Sequence, residues 1–168
     1  ALCRGRKQRG APRPVMDLIL WRHAEAAPGG AGIEDLRRPL TARGERQAAR
    51  MGRWLDCQLP EGLRVLCSPA LRTEQTARTL GRKYRLCAEL APGSTAQELL
   101  DCARWPQGRG TVLVVGHQPV LGEVLAQTLG LAGGACAVRK GAVWWLRQRQ
   151  RVDTWETVLL AVQSPELL

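Results

Sequence analysis

Along this chain, short continuous apolar runs alternate with stretches in which apolar positions recur at a helical period. Short apolar runs at residues 17–21 (Asp-Leu-Ile-Leu-Trp), 64–67 (Arg-Val-Leu-Cys) and 111–115 (Thr-Val-Leu-Val-Val) read as buried strands, with a shorter one at 86–88. Between them, apolar residues recur three and four apart. Thr41 is placed to cap a helix over 42–58 that lines up Ala48, Met51, Leu55 and Leu59. Ser68 and Pro69 read as an N-cap and a first-turn proline, leading a helix with Ala70, Thr73, Ala77, Leu80 and Tyr84 on one face. A capping box, Ser94 with Gln97 or Thr95 with Glu98, opens a helix to about Arg104 that points Leu99, Leu100 and Ala103 inward. Pro119 leads a last helix whose core face is Leu121, Val124, Leu125, Thr128 and Leu129, while residues 24–40 read as loop. Two β-rich runs, 142–147 and 153–162, lie close enough to form an antiparallel pair at a sheet edge. Strands alternating with helices predict an α/β fold: a three-layer α/β/α sandwich with a mostly parallel central sheet and an antiparallel edge pair. Residues 16–168 are expected to form a single domain behind a basic, disordered arm at 1–15.

Composition changes this picture little. A chain of 168 residues with 45 % hydrophobic and 24 % charged content is globular, and no apolar run approaches a membrane span. The first fifteen residues have a basic stretch with no apolar region behind it, so no secretory leader is read. Half of the net charge of +10 sits in that arm, on Arg4, Arg6, Lys7, Arg9 and Arg13. The rest of the chain is only mildly basic, so no nucleic-acid partner is expected. Six cysteines show no C-x-x-C pair and no regular spacing, which predicts reduced core thiols in a cytoplasmic protein and no metal site. A soluble, membrane-free protein is the expectation.

The candidate chemistry lies where strands end. Both histidines follow strands: His23, preceded by Arg22, and His117, after Val115-Gly116. Arg72 falls near the start of the helix behind the second strand. In open α/β sheets the ligand crevice lies beyond the carboxyl ends of the strands, so three segments deliver Arg22, His23, Arg72 and His117 to one edge. Two of those segments open helices, whose free N–H groups attract anions. Two guanidinium groups, two imidazoles and two helix starts describe a phosphate pocket. A cation at a helix N-terminus is unfavourable alone, so something negative should face Arg72.

The residues Leu-Ile-Leu-Trp-Arg22-His23-Ala24-Glu25-Ala26 resemble the R-H-G signature of the histidine phosphatase superfamily. Arg38-Pro39-Leu40-Thr41-Ala42-Arg43-Gly44, Ser68-Pro69-Ala70-Leu71-Arg72-Thr73-Glu74-Gln75-Thr76 and Val115-Gly116-His117-Gln118-Pro119 are similar to its next three blocks, in the same order. The resemblance spans about residues 16–130, and the short chain is most similar to the small phosphohistidine phosphatases of the SixA type. Ala24 departs from the family's glycine, so a positive φ there would be costly. Glu89, in Glu-Leu-Ala-Pro-Gly, is a loose match to the family's proton donor.

The resemblance implies that His23 attacks phosphorus and forms a phosphohistidine intermediate. Arg22, Arg72 and His117 would bind the phosphoryl oxygens, with Arg38 at the rim and Glu89 as the acid, and no metal or other cofactor is required. The leaving group then bears on the substrate. An alkoxide leaving from an ester needs a general acid, whereas imidazole, with an ordinary pKa of about 6.5, departs with little help. The absence of a long lid between residues 89 and 110 also suits a side chain presented from outside. With the acid resting only on the loose match at Glu89, a phosphohistidine-bearing protein is the expected substrate, and Glu89 placed beside the phosphate would instead favour an ester. A small phosphorylated metabolite is the alternative, and a non-catalytic phosphate-binding module is the reading from another class.

Overall fold

The computed structural model describes residues 15–30 and 32–168; the basic arm, apart from Val15, lies outside the described residues. Six strands form one sheet: β1 (Met16–Arg22), β2 (Arg64–Cys67), β3 (Arg85–Leu86), β4 (Gly110–Gly116), β5 (Val143–Arg151) and β6 (Thr154–Gln163). Their spatial order is β3-β2-β4-β1-β5-β6. The first four are mutually parallel, whereas β5 runs antiparallel to β1 and β6 antiparallel to β5. The expected antiparallel edge pair is therefore present.

Four helices cover the sheet: α1 (Ala42–Gln58), α2 (Leu71–Arg78), α3 (Ala96–Ala103) and α4 (Val120–Leu129). The alternation of side chains along β1 divides the core in two. Ile19 and Trp21 point into a cluster with Met51 and Leu55 of α1 and Ala77 of α2. Leu18 and Leu20 point the other way, against Leu99 of α3 and Leu121, Val124 and Leu125 of α4. Helices on both faces make the three layers. Each nearly full burial of a leucine or isoleucine here contributes about 1.5–3 kcal/mol.

Local chemistry sets most boundaries. Thr41 caps α1 by accepting from the Gly44 amide at 3.0 Å. At α3 the capping box is the Thr95–Glu98 pair, with both reciprocal bonds formed. Gly44 answers a close approach: a Cβ there would stand 1.9 Å from the Glu25 carbonyl oxygen. Trp144 and Trp145 alternate faces, each half-buried, and the Trp145 indole donates to Asp17, which Arg147 also grips at 2.7 and 2.8 Å.

Three expectations need correction. The helix behind β2 begins at Leu71, two residues later than the Ser68-Pro69 signal implied, and its N-cap Ala70 carries no side-chain cap. The short third strand is Arg85–Leu86, and the chain turns into a 3-10 helix at Ala88–Leu90 where strand was expected to continue. Residues Asp35–Arg37 form a 3-10 turn inside the segment read as loop.

Candidate active site

Because β1, β4 and β2 are adjacent and parallel, their carboxyl ends open at one place. His23 follows β1, Ser68 follows β2 and His117 follows β4. The backbone ties these ends together, with the His23 and Ser68 amides donating to the carbonyls of Gly116 and Val115 at 3.1 Å each. The two imidazole centroids are 5.3 Å apart. A pocket of about 210 Å³ opens over them, lined by Arg22, His23, Arg38, Arg72 and His117 together with Ala26, Pro92, Gln118 and Lys140. A wider depression of about 650 Å³, around Arg64, Arg104 and Arg109, lies at the opposite end of the strands and contains neither histidine.

His23 is buried, and its Nδ1 lies 2.7 Å from the carbonyl oxygen of Ala24. A carbonyl only accepts, so Nδ1 carries the proton and Nε2 keeps a free lone pair. Burial is the main reason the His23 pKa falls to about 4, and the charges of Arg72, Arg22 and Arg38 add to it against the Ala24 hydrogen bond. His117 falls to about 3, first through burial and then through His23 and Arg72. Both rings are neutral at pH 7.

Nε2 of His117 lies 2.7 Å from the Ser68 hydroxyl, which also accepts from the Ala70 amide at 3.4 Å. With the hydroxyl donating to Nε2, the His117 Nδ1–H is left free. That atom is buried without a partner, as are Nε of Arg22 and Nε of Arg72. Orphaned buried donors are costly, about 1–3 kcal/mol each. All three belong to residues that line the same pocket, an arrangement that suits an anion with several oxygens.

Arg72, almost fully buried, meets an acid that sequence reasoning missed. Its guanidinium donates to the Asp35 carbonyl at 2.7 Å and the Asp35 carboxylate at 3.1 Å, and Arg38 grips the same carboxylate at 2.9 Å. Partial burial pushes the Asp35 carboxyl up, but the two guanidinium groups more than reverse this and hold it below its ordinary value. The negative group expected opposite Arg72 is thus supplied by the protein itself. Arg22 is steadied by donating to the Val138 carbonyl at 2.7 Å.

Of the six expected site residues, five line the pocket. Glu89 does not. It is exposed on the 3-10 turn after β3, with its carboxylate beside Cys87 and Cys102. Ala24 takes no positive φ, so the departure from glycine carries no strain; its amide donates to Thr76 Oγ1 at 3.2 Å. Ser68, Lys140 and Gln118 join the site without having been singled out for it, Gln118 fixed between the Cys136 carbonyl and the Gly122 amide.

Residues 18–93 match the model of the histidine phosphatase superfamily, branch 1. The phosphohistidine phosphatase SixA of Escherichia coli is 35 % identical over 125 residues, covering 67 % of this chain and 73 % of that one. A structure from Nakamurella multipartitia assigned to SixA superposes with a TM-score of 0.72 at 33 % identity, covering 92 % of this chain and 99 % of that one. The structure of the protein histidine phosphatase SixA complexed with tungstate gives the same TM-score at 27 % identity, over 90 % of this chain and 99 % of that one.

Proposed function

The chain belongs to the histidine phosphatase superfamily as a SixA-type phosphatase, and from that premise we propose that it hydrolyses phosphohistidine on a protein substrate. His23 Nε2 attacks phosphorus in line with the departing imidazole nitrogen, giving a phosphorylated His23 that water then hydrolyses. The free lone pair at Nε2 and the low basicity of the ring keep the nucleophile unprotonated at neutral pH. Arg22, Arg72 and the His117 Nδ1–H hold the equatorial oxygens, supplying charge stabilisation where it develops in the transition state. Arg38 reaches the oxygens from the rim.

One observation carries the choice of substrate: no carboxylic acid lines the pocket among the described residues, and Asp35, whose carboxylate touches two of the lining arginines, is kept ionised by them. An ester's alkoxide would lack a proton donor, whereas the substrate imidazole takes a proton from solvent on its distal nitrogen, at an ordinary pKa of about 6.5, and leaves as the neutral ring without an acid from the protein. The SixA relatives, named for phosphohistidine, agree with this reading, and the tungstate bound to one of them supports an oxyanion pocket in either case. A cytoplasmic setting belongs to the same proposal.

Phosphate release from a phosphohistidine-bearing protein, measured beside an aryl phosphate ester and with His23→Ala as control, tests it. The expected result is fast clearance of phosphohistidine, slow ester hydrolysis and no turnover by the variant. Preference for the ester or for a metabolite would overturn the substrate assignment. Undiminished turnover by His23→Ala would overturn the mechanism.

A further inference from the structure

The fold gathers three metal-ligating side chains well apart from the two histidines. Cys87 leaves the end of β3, Glu89 follows on the 3-10 turn, and Cys102 is presented by the last turn of α3. Their two Sγ atoms and a carboxylate oxygen all lie within 4.8 Å of one another, and among the described residues this is the group of three or more such donors. In sequence the cysteines are fifteen apart, which is why no metal motif was legible; the fold brings them together where Cys102 of α3 packs against the core cluster that contains Cys87.

The geometry points to a soft divalent cation site formed by Cys87, Cys102 and Glu89. Zinc–sulfur bonds of about 2.3 Å and zinc–oxygen bonds of about 2.0–2.2 Å place the ligand atoms of a tetrahedral site about 3.5–3.8 Å apart. The cluster therefore needs to close by no more than about 1.3 Å, a shift that side-chain rotation at the half-buried Cys102 and the exposed Glu89 supplies. Two thiolates select zinc or cobalt over magnesium or calcium, and one carboxylate leaves the fourth position to water. Binding releases the thiol protons to solvent, so two thiolates and a carboxylate face a 2+ ion.

The site would act as a clamp. Cys87's amide donates to the Cys67 carbonyl at 2.9 Å, and the next residue, Ser68, holds His117. The stretch between the two cysteines includes Pro92, which forms a wall of the catalytic pocket. An ion tying 87 to 102 would fix that wall without touching the reacting groups.

The test uses the full chain, reduced with a non-coordinating phosphine, stripped by chelator and titrated with Co²⁺ and Zn²⁺. The expected results are a thiolate-to-cobalt charge-transfer band saturating at one equivalent and a thermal midpoint that rises with Zn²⁺. The band reports sulfur ligands alone, so metal caught by His23 and His117 is not mistaken for this site. Cys102→Ser should weaken binding by about tenfold or more and remove the zinc-dependent rise, whereas Cys57→Ser and Cys136→Ser should leave both unchanged. Because Cys87 is buried and its serine variant risks misfolding, the half-buried Cys102 carries the decision. No charge-transfer band at saturating Co²⁺ would overturn the site. So would a band of equal strength in Cys102→Ser, or a cluster that forms a Cys87–Cys102 disulfide on removal of reductant but takes up no metal with reductant present.

Discussion

Replacing His23 with glutamine removes one of only two titrating imidazoles in the chain, and this makes the acid side of the stability profile a direct reading of the site. In the folded protein His23 titrates at about 4 and His117 at about 3, against an ordinary 6.5. As pH falls below 6.5, the unfolded chain takes up two protons that the folded chain refuses, so folding loses free energy. The loss begins near 6.5 and stops only when the folded rings titrate. Each histidine costs about 2 kcal/mol between pH 7.5 and 5, where carboxylates still contribute little. The wild type should therefore lose about 4 kcal/mol over that interval, a large part of the 5–15 kcal/mol typical of a domain, and His23→Gln about half as much. Urea denaturation at half-unit pH intervals measures this. A wild-type profile flat between pH 6.5 and 5, or a variant with the wild-type slope, would refute the argument that both rings are buried neutral.

Ser68→Ala leaves the fold intact but strips the His117 Nε2 of its partner; turnover should fall about tenfold, the equivalent of a lost buried hydrogen bond, with little change in KM. Asp35→Ala frees Arg72 and Arg38 from their internal anion, and inorganic phosphate, titrated calorimetrically, should bind about fivefold more tightly. Gly44→Ala drives a Cβ into the Glu25 carbonyl and should cost about 1–3 kcal/mol or more in thermal stability, with activity falling because Glu25 is two residues from His23. Turnover of phosphohistidine should hold or rise as pH falls from 7 to about 5, because the leaving imidazole gains its proton, and decline only as His23 approaches its value of about 4, provided the assay is kept shorter than acid unfolding.

Much of this was legible in the sequence, for identifiable reasons. The strands β1 and β4 are nearly all apolar because both faces are covered, and such runs are hard to confuse with loops. Strand–helix alternation then sends His23 and His117 to one edge whatever the details between them. Glu89 failed because a short match in sequence says nothing about which way a side chain points; the 3-10 turn aims it at the cysteines. Asp35 was lost inside a segment read as featureless, although Asp35-x-x-Arg38 is the spacing that a 3-10 turn brings into line. Ser68 looked like a helix cap because serine before proline usually is one, and the helix begins later than that signal. In the last two cases the residue's partner is distant in sequence, Arg72 for Asp35 and His117 for Ser68, and no local pattern encodes such a pairing.

The bond from His23 Nδ1 to the Ala24 carbonyl has an evolutionary side. Where a side chain orients a reactive imidazole, one base change can erase the orienting group. Here the acceptor is a main-chain oxygen, which every amino acid at position 24 would still carry. The tautomer of the proposed nucleophile is thus shielded from point mutation, and position 24 is free to drift among residues small enough for its buried niche. Only chemical synthesis, replacing the oxygen of that peptide unit with a poorer acceptor, could ask what the bond contributes.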